Sequence, residues 1–264
     1  MSQRDSYRGN GNALRVYSGV VVVFLLLPIA IAAAVAFNGG ERPDFPPSQL
    51  SLRWFMAVLN SDLLIDSLKR SLIIAVASTI LSTIAGTAAA IAINHYRFRG
   101  RTLIQTFLML PVALPAIVLG LGMLFSLPVL GMNVGVLAAT LGHAVLGIPY
   151  LIAMVLASLT NFDRSLERAS LNLGVGPFQT FVRITFPHIR IGVVAGAIAS
   201  FLLSMDNISL SIFITRNDTL PLRLMQQMQS YTDPSVAAMS VMLLLVSLGM
   251  LLFLLPFIAR RRLG

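Results

Sequence analysis

Side chains capable of catalysis are few in this sequence. Its 264 residues include no cysteine, and its three histidines, His95, His143 and His188, are scattered along the chain. No two of them have the four-residue spacing that brings two imidazoles to one face of a helix around a zinc ion. The lack of cysteine excludes disulfides and thiolate chemistry. We therefore predict neither a catalytic residue nor a metal site.

One acidic residue, Asp206, stands in a long apolar stretch, SFLLSMDNISLSIFIT at 200–215. A stretch this apolar is typical of a membrane span. A charged residue is costly there, so Asp206 is expected to face a bundle interior, a partner or a wet cavity. With Asn207 and Ser204 beside it, Asp206 could balance the positive charge of a solute that crosses the membrane. Alternatively, it forms a structural hydrogen bond with a second subunit or with a neighbour, namely Ser204, Asn207 or Ser209.

A pair of prolines marks a second candidate for a solute pathway. Pro111 and Pro115 stand four residues apart in the apolar stretch at 103–127. Proline removes a backbone donor and clashes with the preceding turn, so the pair predicts a kinked or broken helix. Such a break is tolerated in a membrane where the freed backbone groups face protein or water. We therefore predict that this segment lines a pathway.

Long membrane helices must position these residues, and the composition supports such helices. The chain is 56% hydrophobic and only 11% charged, which is typical of a polytopic membrane protein. Six apolar segments are each long enough to cross a hydrocarbon layer as an α-helix, at 16–37, 71–94, 103–127, 134–159, 191–215 and 236–258. We predict an all-α polytopic fold with six transmembrane helices in one domain, 16–259.

The positive charges predict the orientation of these helices. Because the chain is so apolar, its net charge of +9 indicates membrane topology and not nucleic-acid binding. With six spans, 13 of the 19 Lys and Arg residues fall on the side that holds both termini. Basic residues favour the cytoplasmic side, so the N-terminal segment 1–15 and the C-terminal tail 260–264 are predicted to be cytoplasmic. The first apolar segment exceeds the core of a signal peptide and is predicted to stay uncleaved.

The first long connection, residues 38–67, is predicted on the opposite side. Leu52, Phe55 and Leu59 follow one another at helical intervals, with Trp54 beside them. This pattern predicts a helix in the membrane interface, where tryptophan is enriched. The helix either closes the mouth of the bundle or offers a surface to a substrate or partner.

The second long connection, residues 162–190, is basic and patterned. Asp163 is a candidate N-cap for an amphipathic helix whose spaced positions are Leu166, Ala169, Ser170 and Leu173. Gly174 is predicted to end this helix in a left-handed conformation. Pro177 suits the start of a second helix, and Pro187 is predicted to stop it.

This loop resembles the cytoplasmic EAA loop in the membrane subunits of binding-protein-dependent ABC importers. That loop has the pattern Glu-Ala-Ala, three residues, Gly, nine residues and Ile-x-Leu-Pro. Here nine residues separate Gly174 from Ile184, and Pro187 closes the pattern, while Ala169 and Ser170 fill the two alanine positions. Arg168 occupies the glutamate position, and the acid is displaced by one residue to Glu167.

The resemblance implies the type I ABC importer permease fold and a loop that seats its first helix in a groove of a cytoplasmic ATPase. Implied partners are an ATPase dimer, a second homologous permease, a periplasmic binding protein and membrane lipids. The chain has no Walker-type phosphate loop, so ATP and magnesium are expected on the ATPase subunits and no cofactor on this chain. The implied coupling residues are Leu166, Glu167, Arg168, Ala169, Ser170, Leu173, Gly174, Gly176, Pro177, Ile184 and Pro187.

Further stretches, NHYRFRGRTL, HAVLGIPYLIAMV and SFLLSMDNISLSIFIT, are similar to the spermidine/putrescine branch of these permeases. This similarity implies polyamine import across a bacterial inner membrane, along a pathway that includes Pro111, Pro115, Ser204, Asp206 and Asn207. Other small amines, amino acids, phosphonates and ferric iron stay open as cargo, because relatives of that branch are assigned to them. A secondary transporter that uses Asp206 as its ion-coupling acid is the alternative from another class, and it leaves the loop unexplained.

Overall fold

The computed structural model describes residues 11–160, 162–216, 219–230 and 233–259. Its regular elements there are all helical, apart from an isolated antiparallel bridge between Asn38 and Leu50. This confirms the all-α prediction for the described residues. The helices are α1 (Gly11–Ala36), α2 (Arg53–Leu59), α3 (Asp62–His95), α4 (Arg101–Ala113), α5 (Ala116–Val129), α6 (Val136–Leu159), α7 (Ser165–Asn172), α8 (Pro177–Thr180), α9 (Phe186–Asp206), α10 (Ile208–Ile214), α11 (Leu220–Ser230) and α12 (Ser235–Ala259).

Four helices in the described part of the chain are long and apolar enough to cross a membrane, at Ala13–Ala36, Asp62–His95, Val136–Leu159 and Pro177–Asp206. A fifth span exists if α4 and α5, which meet at 107°, cross together. Near the C-terminus, Ser235–Gly249 is a shorter apolar helix. Six spans and two cytoplasmic termini therefore stay predictions. Residues 1–10 of the predicted N-terminal segment, and the tail 260–264, lie outside the described residues.

The described residues form two compact units, and the predicted domain limits at 16 and 259 stay predictions. One unit comprises the chain up to Asp62 together with 227–246, and the other comprises 63–226 with the residues after 246. In the first unit, α1 is exposed along most of its length. The buried Asn38 amide donates to the Arg42 carbonyl at 2.8 Å, and the Trp54 indole donates to the Gly40 carbonyl at 3.0 Å. These bonds hold the predicted helix α2 against the preceding turn.

In the second unit, α6 packs along α9. Close approach of the two backbones is possible because Gly192 and Gly196 have no side chain. A Cβ atom at Gly192 would lie 2.4 Å from the Met154 carbonyl oxygen, and one at Gly196 would lie 2.7 Å from Leu151. Small residues at such crossings are common between membrane helices, where packing replaces the hydrophobic drive.

Serine and histidine side chains form a polar cluster in the core of the second unit. His143 on α6 bonds through Nδ1 to the Ser204 hydroxyl at 2.8 Å and through Nε2 to the Ser211 hydroxyl at 3.1 Å. Ser204 also accepts from the Ser78 hydroxyl of α3 at 3.3 Å. All four residues are buried. Because both ring nitrogens of His143 are engaged, the histidine is a structural one that joins α3, α6, α9 and α10.

Two helix breaks interrupt the second unit. The predicted break in LPVALP is confirmed: α4 contains Pro111 and ends at Ala113, Leu114 is extended, and Pro115 precedes α5. The prediction of one continuous span at 191–215 is wrong, because the helix starts earlier and ends at Asp206. Asn207 is extended there, and its Oδ1 accepts from the Leu210 amide at 2.9 Å. This side-chain bond replaces backbone pairing and starts α10.

Candidate functional site

The first candidate site is the loop between α6 and α9, which begins with the predicted amphipathic helix α7. The Asp163 carboxylate accepts from the Ser165 amide at 2.8 Å and from the Ser165 hydroxyl at 2.7 Å. Both hydrogen bonds lower the pKa of Asp163 from its ordinary value, and the bond from the hydroxyl has the larger effect. The prediction that Asp163 is the N-cap is wrong by one residue, because the cap position is Arg164; Asp163 instead binds Ser165, the first residue of α7.

The predicted left-handed end of α7 is confirmed. Gly174 has φ +81°. The Val175 amide donates to the Ser170 carbonyl at 3.2 Å, and the Gly174 amide donates to the Leu171 carbonyl at 3.0 Å. Together these bonds form a Schellman motif, which satisfies the last carbonyls of a helix. The corner between α7 and α8 is thus fixed by backbone hydrogen bonds.

The second loop helix begins at Pro177 as predicted, but the prediction that Pro187 stops it is wrong. α8 leads into the π-helical segment Phe181–Thr185, which leads into α9, so one continuous helix runs from the loop to Asp206. Pro187 lies in the first turn of α9. Proline has no backbone N–H to donate, and its ring needs space in the preceding turn. A π-helical turn is wider than an α-helical one and accommodates the ring. The loop is therefore rigidly joined to the apolar span.

Most predicted coupling residues lie on the exposed side of the loop. Leu166 is 53% exposed and Leu173 is 83% exposed, while the other exposed members are Arg168, Ala169, Gly174, Gly176 and Pro177. Ser170 is buried, and its hydroxyl bonds to that of Thr180 at 2.9 Å, which holds α7 to α8. Ile184 and Pro187 are half-buried, and Ile184 packs against a core that includes Phe162 and Ile189.

Glu167 differs from this set because its side chain turns inward. Its carboxylate lies 2.9 and 3.0 Å from His95 Nε2, at the end of α3, and it accepts a hydrogen bond from the Thr185 hydroxyl. The Arg164 guanidinium donates to the His95 carbonyl at 2.7 Å. His95, Thr185 and Arg164 were not among the predicted site residues. Nothing in the sequence indicated this contact, since 72 positions separate His95 from Glu167.

The second candidate site is an open groove of about 610 Å³ beside the break between α9 and α10. Asp206 is exposed on the groove, and Tyr150 of α6 contributes to its lining. Leu202 and Leu203 provide an apolar wall, together with Ala199 and Ile208. The groove thus combines one carboxylate with an aromatic ring and alkyl surface. Tyr150 was missed in the sequence because nothing distinguishes it from a packing residue of α6.

The structure brings only part of the predicted pathway set to the groove. Asp206 and Asn207 line it, whereas Ser204 turns to the buried cluster of His143. Pro111 and Pro115 are not among the lining residues. Within the described part of the chain, the structure gives the Asp206 side chain no bond to Ser204, Asn207 or Ser209. Of the structural alternatives, this leaves the contact with a second subunit.

The electrostatics of the groove favour a cation. Asp206 carries a carboxylate at the C-terminal end of α9, a helix of 21 residues. The C-terminus of a helix carries partial negative charge on its unpaired carbonyls. At the N-terminus of α10, the Asn207 side chain already accepts one amide hydrogen. The carboxylate of Asp206 and the C-terminal end of α9 are therefore both negative, and both attract a cation.

Known proteins resemble this chain along most of its length. Residues 82–263 match the family described as binding-protein-dependent transport system inner membrane component. The spermidine/putrescine transport system permease protein PotC of Escherichia coli strain K12 is 29% identical over 234 residues, which cover 88% of each chain. The putrescine transport system permease protein PotI of the same strain is 26% identical over 84% of this chain and 82% of that protein. The molybdate/tungstate permease protein WtpB of Pyrococcus abyssi is 24% identical over 89% and 90%.

Solved structures share the fold. A chain of a bacterial ABC transporter involved in import of the acidic polysaccharide alginate matches with a TM-score of 0.71 and 16% identity over 99% of both chains. A chain of the MetNI methionine ABC transporter, solved in inward-facing conformations, matches with a TM-score of 0.57 and 20% identity over 75% of this chain and 94% of that chain. These likenesses confirm the predicted type I ABC permease fold.

Proposed function

The chain belongs to the family of binding-protein-dependent transport system inner membrane components, and from this membership we propose which solute it carries and how it is driven. This is a family of transport subunits and not of enzymes. We propose that the chain forms half of the pathway of an ATP-driven importer for a small cationic solute, a polyamine such as spermidine or putrescine. Its partners are a second homologous permease, a cytoplasmic ATPase dimer and a periplasmic binding protein, in a bacterial inner membrane.

The position of Asp206 is the observation that carries this proposal. Its carboxylate is exposed on an open groove of a membrane chain, and a carboxylate that faces lipid is strongly disfavoured. A second permease that covers the groove removes this cost and converts the groove into an enclosed pathway. The same carboxylate then attracts an ammonium group, and Leu202 and Leu203 offer apolar surface to the methylene chain of a polyamine.

Coupling to an ATPase is supported by the loop. Leu166 on α7 and Leu173 directly after it place apolar surface outward. Hydrogen bonds at both ends of α7, from Ser165 to Asp163 and from the Gly174 corner, fix the helix. Behind it, a continuous helix runs from Pro177 to Asp206 at the groove. A displacement of the loop is therefore passed to the groove along one rigid rod. The ATPase subunits supply ATP binding and magnesium, and this chain supplies the lever.

Reconstituted transport tests the cargo. Vesicles that contain the two permeases and the ATPase should accumulate labelled spermidine when the binding protein is supplied on the periplasmic side and ATP on the side of the ATPase. Unlabelled putrescine should compete, whereas an amino acid, a phosphonate or ferric iron should not. Competition by one of these three without competition by putrescine would reassign the cargo.

Capture of the co-expressed ATPase subunit by the tagged chain tests the loop. Leu166→Asp and Leu173→Asp should each lower the captured amount by about tenfold, because each inserts a charge into an apolar contact. Leu52 is an exposed leucine of the first long connection. Leu52→Asp is the matched control and should leave capture unchanged. Equal capture by all three variants would remove the loop from the contact.

A transported oxyanion is the second candidate, because WtpB is named as a molybdate/tungstate permease protein. The groove argues against it. An exposed Asp206 and a helix C-terminus both repel an anion. Molybdate therefore serves as the negative competitor in the vesicle assay, and its transport would overturn the proposal of a cationic cargo.

A further inference from the structure

The contact between Glu167 and His95 joins elements that are distant along the chain. The loop is covalently continuous with α6 and α9, but it has no direct chain connection to α3. Two residues of the loop, Arg164 and Glu167, nevertheless bind the same residue, His95, at the last position of α3. One bond holds the backbone carbonyl of His95 and the other holds its ring. The end of α3 is therefore fixed in both position and orientation.

Glu167 also binds the start of the next span. Its carboxylate accepts from the hydroxyl of Thr185, which is 2% exposed and lies in the π-helical segment before α9. The side chains of His95 and Glu167 are only 13% and 15% exposed. Hydrogen bonds to a charged partner are strong, and partial burial limits competition from water. One carboxylate thus connects α7, α3 and the base of α9.

We propose that Glu167 is a positioning residue that makes α3 move together with the loop. The proposal rests on the proposed function, since it assumes that an ATPase displaces α7. Without Glu167, the loop would hold the end of α3 only through the Arg164 bond to the His95 carbonyl, and α3 would otherwise follow α9 only through the serine bonds deeper in the unit. With it, α3 and α9 are displaced together, and the polar bonds of Ser78 and Ser82 on α3 to α9 need not break during the cycle. Glu167 and His95 form what we call the α3 tether.

A distance measurement tests the α3 tether without any solute. The chain has no cysteine, so Tyr96→Cys and Asn172→Cys can carry the only two nitroxide labels on the permease; both positions are exposed. Electron paramagnetic resonance on the assembled complex, with and without ATP, reports the distance between α3 and α7. With Glu167 present, one narrow distribution should be found in both states. Glu167→Ala should widen it about twofold, because a broken anchor frees the segment.

Glu167→Gln is the conservative variant. Its amide oxygen still accepts from the Thr185 hydroxyl and from the N–H of His95 Nε2, so the narrow distribution should largely return. Gln179→Ala, at an exposed position on α8, is the control and should give the distribution of the unchanged chain. The proposal is overturned if the native labels move apart on ATP binding, or if Glu167→Ala leaves the distribution unchanged.

A second readout separates positioning from mere stability. In the complete transporter, Glu167→Ala should lower spermidine taken up per ATP hydrolysed by about tenfold, while the amount of bound ATPase subunit and the rate of hydrolysis stay near native values. Loss of hydrolysis and uptake in equal proportion would indicate failed assembly and overturn the positioning role. If the native complex hydrolyses ATP but does not take up spermidine, the cargo proposal fails and the distance measurement still decides the tether.

Discussion

At the scale of single residues, the direction of one carboxylate decides which charge the loop offers to a partner. Glu167 and Arg168 are the only charged residues of α7, and Glu167 is turned inward to His95 and Thr185. Arg168 is exposed. The one-residue displacement of the acid, visible in the sequence, therefore reverses the sign of the charge on the outer face of α7. For the ATPase contact proposed above, we expect an acidic residue of the partner opposite Arg168.

Removal of the charge on Asp206 should impair transport without affecting assembly. Asp206→Asn keeps the shape of the side chain but cannot attract an ammonium group by charge. We expect spermidine uptake to fall by about tenfold or more, the value of one charge-assisted hydrogen bond. Purified complexes of the variant should contain both permeases and the ATPase in native proportion. Asp206→Glu is the control that keeps the charge, and unchanged uptake by Asp206→Asn would remove this residue from the pathway.

The start of α7 should weaken in acid because of Asp163. Hydrogen bonds from the Ser165 hydroxyl and amide lower the pKa of Asp163 below its ordinary value of 3.8. Because the pKa is lowered in the folded chain, the ionised carboxylate stabilises the fold. This stabilisation is fully present above pH 3.8 and is lost as the pH falls through the lowered pKa. Ser165→Ala removes the larger cause, so the pKa should rise toward 3.8. Nuclear magnetic resonance titration of the labelled carboxyl would contradict this if the variant and native values coincide.

At the scale of elements, the corner between α7 and α8 depends on one backbone conformation. Gly174 has φ +81°, and an added Cβ would meet nothing within 4 Å. Gly174→Ala therefore introduces only backbone strain, about 1–2 kcal/mol. We expect capture of the ATPase to fall by about fivefold or more. Gly174→Asn is the control that tolerates the left-handed region and should retain more capture than alanine; the reverse order would contradict the strain argument.

The crossing of α6 and α9 should also be sensitive to replacement of a glycine by alanine, here because the added methyl group would clash. Gly192→Ala would place Cβ 2.4 Å from the Met154 carbonyl oxygen and 2.4 Å from the Ser158 hydroxyl. The helices must separate, at a cost of about 1–3 kcal/mol. In detergent, Tm should fall by about 5 °C. Gly122→Ala on α5, with nothing within 4 Å, should leave Tm unchanged, and a similar fall in both variants would indicate loss of helix flexibility instead of a clash.

Sequence patterns predicted these elements to different degrees. The break at Pro115 and the left-handed Gly174 were predictable, since proline and glycine act through their own backbone geometry. The break at Asn207 was not, because an asparagine stops a helix only where its side chain finds an amide, here that of Leu210. Pro187 misled for a related reason: a π turn accommodated it. Contacts between distant segments, such as Glu167 with His95, left no local signal at all.

At the scale of the whole molecule, the surface of the chain is that of a subunit. Only 28% of the most apolar stretch of α3, and 33% of that of the helix Pro177–Asp206, is buried within the chain. The groove that holds Asp206 is open. Helices that cross a membrane alone can face lipid, but an acidic groove requires a cover. The arrangement therefore favours a pathway completed by a second permease over a pathway contained in one chain.

This distinction gives the prediction that separates an ATP-driven importer from an ion-coupled transporter. The chain alone, in vesicles without ATP, should not take up labelled spermidine under an imposed proton or sodium gradient, because the groove at Asp206 is incomplete and α7 has no ATPase to displace it. The complete complex should take up spermidine with ATP and no gradient, and dissipation of the gradient should leave its rate unchanged. Vesicles that hold the complex with a Walker-motif variant of the ATPase are the matched control. Gradient-driven uptake by the chain alone would establish Asp206 as an ion-coupling acid and make the loop dispensable.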